Sequence, residues 1–283
     1  MNLGLMCVHA HPDDETISTG GVLLRAAAEG RRTVVVTCTG GELGEIVGEH
    51  MDPVAVRPRL GEVRRGELTN ALAILGAGEP RLLGYRDSGM VGTPGNDDPR
   101  AFWRANVDAA VGKVVAEIRA FRPDVLVTYD ALGIYGHPDH VQAHRVALLA
   151  SEACAASALY PEAGEPWRIP KVYLVTVPQS FVAMAHRELT VRGLASPFGP
   201  SGSTQPGPFG SPDEVVTTVV DVSAHVQRKL AALRAHASQI GPSSFFLNLP
   251  ADLTGLAFGA EWFIRQRALV AVPEGEDDLF AGL

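Results

Sequence analysis

The sequence has 283 residues, of which 46% are hydrophobic and 20% are charged, a composition typical of a folded protein and not of a disordered one. The net charge of −8 and the lack of a lysine- and arginine-rich cluster argue against nucleic-acid binding. Three cysteines are too few for a disulfide framework. With no signal-peptide pattern and no apolar stretch approaching roughly 18–20 residues, we expect a cytoplasmic protein without a membrane span.

The first half of the sequence alternates short apolar runs with longer amphipathic stretches. We predict strands at residues 3–8, 33–37, 82–83 and 125–128, and helices at 17–29, 60–75, 107–121 and, after a short loop, within 138–155. Strands that alternate with helices of about ten or more residues are typical of βαβ units. The sequence therefore predicts an α/β fold with a Rossmann-like, mostly parallel sheet that carries helices on both faces.

The second half is less regular. Residues 172–177 are predicted as a further strand, 195–212 as a loop rich in glycine and proline, and 215–221 as an edge strand. Ser223 is placed to cap one helix that runs from residue 224 towards 240. We expect one domain over residues 1–283, with an α/β core at about 1–177 and a C-terminal α+β extension at about 178–283.

Two clusters of histidine and aspartate follow two of the predicted strands. The first, His-Pro-Asp-Asp at residues 11–14, comes directly after the strand at 3–8. The second, Tyr-Gly-His-Pro-Asp-His at residues 135–140, follows the strand at 125–128. Ligands bind beyond the carboxyl ends of the strands in open α/β sheets. Both clusters fall there, so their side chains are expected to share one site.

The residue types in these clusters point to a divalent metal. Three nitrogen and oxygen ligands with one open position are typical of a catalytic zinc site. A zinc-bound water has its pKa lowered towards about 7, and a carboxylate beside it can take the remaining proton. Alone, the first cluster is equally consistent with an aspartate turn in which Asp13 or Asp14 caps the next helix. The second cluster favours the metal site, because His137 and His140 can divide metal binding and substrate contact between them.

These motifs, together with the segments at 37–45, 64–68, 86–90, 128–130, 232–240 and 278–282, resemble the LmbE-like (PIG-L) family of zinc-dependent N-acetylglucosaminide deacetylases. The resemblance runs through nearly the whole chain in the order of the family's motifs. It is greatest to two enzymes of the mycothiol pathway, the GlcNAc-inositol deacetylase and the mycothiol S-conjugate amidase.

The resemblance implies that one zinc ion per chain, or another divalent metal in its place, is bound by His11, Asp14 and His140. Asp13 becomes the general base that activates the water. His137, oriented by Asp139, becomes the acid that protonates the leaving amine; the alternative is that Asp13 acts as both base and acid. Tyr135 helps to polarise the acetyl carbonyl.

The resemblance also implies three substrate contacts. Arg64 and Asp87 match positions that hold sugar or inositol hydroxyls, and Glu45 lies on a loop that borders the site. For Arg64 the alternative is a solvated helix charge paired with Glu67 or Glu62. Asp87 could instead open an Asp-Ser-Gly turn. The role of His236 is left undecided.

The expected function is hydrolysis of the acetamide of a GlcNAc-containing glycoside, either of the GlcNAc-inositol type or in a natural product, by a metal-bound water. The first alternative is a mycothiol S-conjugate amidase. A second, of a different class, is a non-catalytic sugar-binding module that keeps the zinc; retention of Asp13 and His137 argues against it. The expected partner is a small N-acetylated amino sugar, and the oligomeric state, a homo-oligomer included, is left open.

Overall fold

The computed structural model describes residues 2–194, 196–199 and 207–283. Its strands, in chain order, are β1 (Gly4–His9), β2 (Arg32–Thr39), β3 (Arg81–Tyr85), β4 (Val125–Tyr129), β5 (Lys171–Thr176), β6 (Thr218–Asp221) and β7 (Ala260–Ala268). In the described part of the chain these strands form one seven-stranded sheet with the order β3-β2-β1-β4-β5-β7-β6. Strands β1 to β5 pair in parallel, whereas β7 is antiparallel to both β5 and β6.

The helices, in chain order, are α1 (Asp14–Ala28), α2 (Pro53–Val56), α3 (Leu60–Leu75), α4 (Val107–Phe121), α5 (Gly133–Gly136), α6 (Pro138–Ala153), α7 (Gln179–Val191), α8 (Val226–Ala235) and α9 (Ala251–Phe258). Helix α1 packs against α3 and α8, and α4 packs against α6. The crossovers through α1 and α3 move along the sheet in one direction, and those through α4 and α6 move in the other. Since such crossovers are right-handed, the two helix groups cover opposite faces.

Burial explains why the central strands form where the sequence predicts them. Every residue of β1, β4 and β5 is buried, as expected for parallel strands covered on both faces. The predicted α/β class, with a mostly parallel sheet, is confirmed. Helix α4 also matches its predicted range; Asn106 caps it by accepting a hydrogen bond from the Ala109 N–H at 3.0 Å.

The second half of the chain departs from the sequence prediction. It contains α7, α9 and β7, where one helix and no strand after residue 221 were expected. The one predicted helix, α8, is shorter than expected: it begins at Val226 and ends at Ala235, with His225 and not Ser223 at its N-cap. Helix α6 has no preceding loop and begins directly at Pro138. The edge position predicted for 215–221 is correct for β6, and of the predicted loop at 195–212, residues 195 and 200–206 lie outside the described residues.

The strand order places the two histidine clusters side by side. Adjacent strands β1 and β4 are followed by segments that leave the sheet in opposite directions, β1 towards β2 and β4 towards β5. Ligands of open α/β sheets bind at such a reversal of strand order. Among the helices of the described residues, none is both long and apolar enough to cross a membrane.

Candidate metal centre and active site

Three side-chain atoms from the two clusters form a nearly equilateral triangle. The His11 Nδ1 to Asp14 Oδ2, His140 Nε2 to Asp14 Oδ2 and His140 Nε2 to His11 Nδ1 distances are each 3.3 Å. A tetrahedral zinc ion with bonds of about 2.0–2.1 Å separates its ligand atoms by about 3.3–3.4 Å. All three residues are buried. This ligand triangle therefore fits a zinc ion, with the fourth position open.

Other groupings of nearby side chains fit a metal less well. Ligand-type atoms of His11, His137 and His140 lie within 4.8 Å of one another, as do those of His11, Asp87, His137 and Asp139. The ligand triangle differs from these sets in its three equal separations of 3.3 Å, and the Nδ1 of His137 already accepts a hydrogen bond from the main chain. The ligand triangle is therefore the best candidate for a metal site, and it is the set that the family resemblance implies.

Hydrogen bonds on the outer ring nitrogens fix the orientation of both imidazoles. The Nε2 of His11 lies 3.2 Å from Asp139 Oδ2, and the Nδ1 of His140 lies 3.2 Å from the Gly133 carbonyl oxygen. Each contact requires the outer nitrogen to carry a proton, which leaves the inner nitrogen with its lone pair for a metal. A carboxylate or carbonyl behind a metal-binding histidine does this in many zinc sites.

Tyr129 holds the third member of the ligand triangle. Its hydroxyl donates to Asp14 Oδ2 at 2.7 Å and accepts from the Ala10 N–H at 2.8 Å. Its ring stacks on His140 with centroids 4.3 Å apart. Burial acts to raise the pKa of Asp14, but the neighbouring His140 and His11 hold it well below its usual value. The carboxylate of Asp14 is thus ionised and has a fixed direction.

The backbone of Asp13 takes an unusual conformation. Its φ is 119°, which costs a residue other than glycine about 1–3 kcal/mol and is typical of functional sites. Its Oδ2 accepts a hydrogen bond from Arg64 Nη2 at 3.1 Å. Burial and the adjacent Asp14 raise the pKa of Asp13 to about 6, although Arg64 acts in the opposite direction. A carboxylate with this pKa suits proton transfer near neutral pH.

Arg64 is buried, and its donors are directed at the protein. Besides Asp13, its guanidinium donates to the carbonyl oxygens of Pro12 and Gly41. It is therefore not a solvated helix charge paired with Glu67 or Glu62, and each of its Nη groups has an acceptor in the protein, although Arg64 also lines the cavity. The contacts indicate that Arg64 positions Asp13.

A buried pair that the sequence analysis left without a role supports Asp13 from the other side. Glu15 accepts from the Asp13 N–H at 2.9 Å and lies 2.8 Å from the Nε2 of His236. Burial acts to lower the pKa of His236, but Glu15 raises it above its usual value. Glu15 directly follows the first motif, so its position was a signal that could have identified it. The His236 contact depends on the fold.

Asp139 corrects one predicted interaction. Its carboxylate accepts from both the N–H and the hydroxyl of Ser88 and from His11, and makes no contact with the ring of His137. Only its main-chain N–H reaches His137, by donating to Nδ1 at 3.1 Å. Burial, followed by His11 and His140, lowers the pKa of His137 to about 4. Asp139 therefore orients His137 through its main-chain N–H and not through a carboxylate hydrogen bond, and the negative charge of Asp139 acts to raise the pKa of His137 without offsetting the lowering.

The remaining predicted residues line the surroundings of the ligand triangle. Asp87 accepts from the Gly89 and Leu43 N–H groups, at 2.7 and 3.1 Å, and its Oδ1 lies 3.7 Å from His11 Nε2. It thus makes the turn that the alternative proposed and still lies at the site. Tyr135 is 40% exposed and meets His140 edge-on with centroids 5.0 Å apart. Glu45 is exposed at the rim.

A cavity of about 1010 Å³ opens onto these groups. Its wall includes every predicted site residue except Asp139, which lies behind His11. The volume is at the upper end of the range of about 300–1,000 Å³ usual for small-molecule sites. The predicted metal, catalytic and substrate residues are therefore brought together around one cavity.

The sequence is similar to that of known proteins. The profile of one family, described as GlcNAc-PI de-N-acetylase (PIG-L), matches residues 6–151. The 1D-myo-inositol 2-acetamido-2-deoxy-alpha-D-glucopyranoside deacetylase of Geodermatophilus obscurus is 46% identical over 286 residues, which cover 99% of this chain and 97% of that protein.

Solved structures resemble the fold at lower identity. The N,N'-diacetylchitobiose deacetylase of Pyrococcus horikoshii has a TM-score of 0.63 at 18% identity, covering 93% of this chain and 83% of that one. The 4-carboxy-2-hydroxymuconate hydratase of Pseudomonas putida has a TM-score of 0.60 at 18% identity, covering 96% and 99%. Since one of these is a deacetylase and the other a hydratase, the fold alone does not determine the reaction.

Proposed function

Because this chain belongs to the PIG-L family of de-N-acetylases, we propose that it is a zinc-dependent hydrolase that removes the N-acetyl group from a GlcNAc-containing glycoside of the GlcNAc-inositol type. The relative from Geodermatophilus obscurus supports this substrate over the mycothiol S-conjugate, the alternative left open by the sequence. We further propose that residues 1–283 act as one domain, since β6 and β7 extend the same sheet.

The observation that carries this proposal is the ligand triangle of His11, Asp14 and His140, with its equal separations of 3.3 Å. When bound there, zinc supplies Lewis-acid chemistry that polarises a carbonyl and makes water a stronger nucleophile near neutral pH. Asp139, Gly133 and Tyr129 orient the ligands from behind.

Asp13 is the group that we propose moves the proton. Its Oδ2 is held by Arg64, and Oδ1 accepts no hydrogen bond from any other part of the described chain. Oδ1 is thus free to take a proton from the attacking water. Since its pKa is raised to about 6, Asp13 can return the same proton to the nitrogen of the leaving amine.

His137 and Tyr135 act on the substrate carbonyl in this proposal. The Asp139 N–H occupies Nδ1 of His137, so a neutral His137 carries its proton on Nε2 and can donate a hydrogen bond from there. Tyr135 can donate from its hydroxyl, which burial keeps protonated by raising its pKa. Two donors directed at the carbonyl oxygen stabilise the charge that develops on it.

The assay that tests the function compares three substrate classes on the zinc-loaded protein. We expect release of acetate from GlcNAc-inositol with the highest kcat/KM, slower release from simple GlcNAc glycosides, and the least hydrolysis of a mycothiol S-conjugate. Preferred cleavage of the conjugate would replace the deacetylase assignment with the amidase. No hydrolysis of any N-acetylated amino sugar would contradict the proposed function.

Removing the hydroxyl of Tyr129 is expected to weaken metal binding. The variant Tyr129→Phe keeps the ring that stacks on His140 but loses the hydrogen bond to Asp14. Loss of such a contact behind a metal ligand usually costs about 10–100-fold in metal affinity. Competition with a chromogenic chelator measures this change. Tyr173→Phe is the matched control, because the buried Tyr173 hydroxyl donates to Glu276 outside the site; equal affinities in the two variants would refute the role of Tyr129.

Replacing His137 by Ala is expected to lower kcat by roughly 10²-fold, the usual effect of removing a donor to a developing oxyanion, while metal content is unchanged. Because its pKa is lowered to about 4, His137 is neutral across the working range, and the fall in rate at alkaline pH must come from another group. We expect that fall to persist in His137→Ala. Its disappearance from the pH profile would return the acid role to His137, as the motif alone predicts.

A further inference from the structure

The wall of the cavity changes character along the sheet. Residues of the turn-forming segments 43–45 and 87–95, which follow β2 and β3, form one side; they include Glu45, Asp87 and Thr93 besides the apolar Leu43 and Met90. The ligand triangle follows β1 and β4 in the middle. Side chains of β5, of the amino end of β7 and of the segments after β5 form the other side. Since the strand order is β3-β2-β1-β4-β5-β7-β6, the ligand triangle separates the two sides.

The side beyond β4 is an aromatic arm, which we define by the cavity-lining residues Val177, Phe181, Phe198, Phe209, Phe245 and Trp262. It begins at the metal site, where Phe209 stacks on Tyr135 with centroids 6.1 Å apart. Phe198 meets Phe209 at 5.1 Å and Phe245 at 6.2 Å. Phe181 and Trp262, which also line the cavity, have ring centroids 4.6 Å apart. A series of aromatic contacts thus leads away from the ligand triangle through Phe209 and Phe198.

The aromatic arm is larger than an acetyl group requires. Six large apolar side chains offer more surface than a methyl group can cover, and sugar hydroxyls need polar partners, of which these side chains offer only the indole N–H of Trp262. Contiguous apolar surface that faces solvent is unfavourable and is typical of binding sites for apolar groups. The aromatic arm is therefore suited to binding an apolar part of the substrate.

The position of the aromatic arm indicates which part of the substrate it binds. With the amide carbonyl at the ligand triangle, the two substituents of a trans amide extend in opposite directions. The sugar, which carries the hydroxyls, belongs on the side of Asp87 and Glu45. The acyl group then points across the triangle towards Tyr135 and Phe209.

We propose that the aromatic arm binds the acyl chain of N-acyl glucosaminides longer than acetyl, so that the enzyme is a de-N-acylase for apolar acyl groups as well. This inference rests on the proposed function. The reaction is the same hydrolysis: the carbonyl carbon gains an oxygen from water, and its bond to nitrogen breaks. One proton of the water goes to the leaving nitrogen and the other stays with the acid, so the products are a carboxylic acid and a free amine. No further reactant is needed.

The first test measures kcat/KM for a series of methyl glucosaminides with acetyl, butanoyl and hexanoyl groups on nitrogen. Each buried methylene contributes about 0.8 kcal/mol, or roughly fourfold, so we expect hexanoyl to exceed acetyl by at least about tenfold. A matched series keeps the N-acetyl group and lengthens the alkyl aglycone from methyl to hexyl. A larger gain in that second series would place the aglycone in the arm and overturn the proposal.

Variants of the wall link the effect to the aromatic arm. In Trp262→Ala and in Phe181→Ala, the ratio of hexanoyl to acetyl kcat/KM is expected to fall about tenfold or more. Two positions are used so that a folding defect in one variant does not decide the outcome. Trp103→Ala is the matched control, because Trp103 is exposed and lies outside the cavity. An unchanged ratio in both arm variants would refute the assignment.

Calorimetry with the product acids separates this inference from the proposed function. We expect hexanoate to bind the wild-type protein at least about tenfold more tightly than acetate does, and the difference to shrink in Trp262→Ala. Tight hexanoate binding without turnover would contradict the hydrolase and leave the apolar site standing. Turnover of the acetyl substrate without any chain-length preference in rate or binding would leave the hydrolase and overturn the acyl site.

Discussion

Replacing Asp14 by Ala is expected to abolish both metal binding and turnover. Asp14 supplies one corner of the ligand triangle and its only negative charge, so its loss leaves two neutral imidazoles. Without the carboxylate, the hydroxyl of Tyr129 and the main-chain N–H of His11 also lose their common hydrogen-bond acceptor. We expect less than about one tenth of a metal ion per chain by elemental analysis, and no acetate release above background.

Chelation provides an independent form of the same experiment. Removing metal from the wild-type protein should eliminate activity, and adding Zn²⁺ should restore it, whereas Asp14→Ala should stay inactive at the same zinc concentration. Asp13→Ala is the matched control for the metal content, because it removes the neighbouring carboxylate outside the ligand triangle. Full turnover by metal-free protein, or normal metal content in Asp14→Ala, would show that the ligand assignment is wrong.

The sequence was sufficient to predict the parallel strands of the sheet, because the residues of its central strands are uniformly buried. Strands β1 and β4 are apolar throughout their central residues, and short apolar runs between amphipathic helices have few other structural explanations. Strand β7 was missed for a physical reason: its apolar run is only residues 262–264, with Arg265 and Arg267 after it and the carboxylate of Glu261 before it. In the fold this carboxylate is buried, accepting from the Gly21 and Val22 N–H groups and from Lys229. Such a buried acceptor can be identified only once its partners are known.

Some contacts of the candidate site could also be predicted from the sequence, and others could not. Residues that approach one another through adjacent strand ends, such as His11 and His140, could be placed together from the motif and the strand pattern. Contacts that depend on the direction of a single side chain could not. Asp139 lies between His137 and His140 in the sequence, yet its carboxylate turns to His11 and Ser88. Tyr129 lies in the segment 128–130 that carries the family resemblance, but the sequence does not show that its hydroxyl donates to Asp14.

Replacing Asp13 by Ala is expected to lower kcat by about 10²–10⁴-fold, the usual range for a lost general base, with close to one metal ion still bound per chain. The distinction from Asp14→Ala follows from geometry: the Oδ2 of Asp13 accepts a hydrogen bond from Arg64, and Asp13 is not one of the three residues of the ligand triangle. Single-turnover assays and elemental analysis on the same preparation measure both quantities. Loss of metal in Asp13→Ala with metal retained in Asp14→Ala would reverse the two roles.

The role of Asp13 as a base also predicts the direction in which the rate changes with pH. A base must be ionised to act, so the rate should rise with pH through the pKa of Asp13, which burial raises to about 6 and Arg64 opposes. Arg64→Met removes that positive charge and should move the rising part of the profile upward by roughly one unit or more. Arg65→Met, on the exposed neighbouring position of α3, should leave it in place. A rising part that does not move in Arg64→Met would mean that a group other than Asp13 takes the proton.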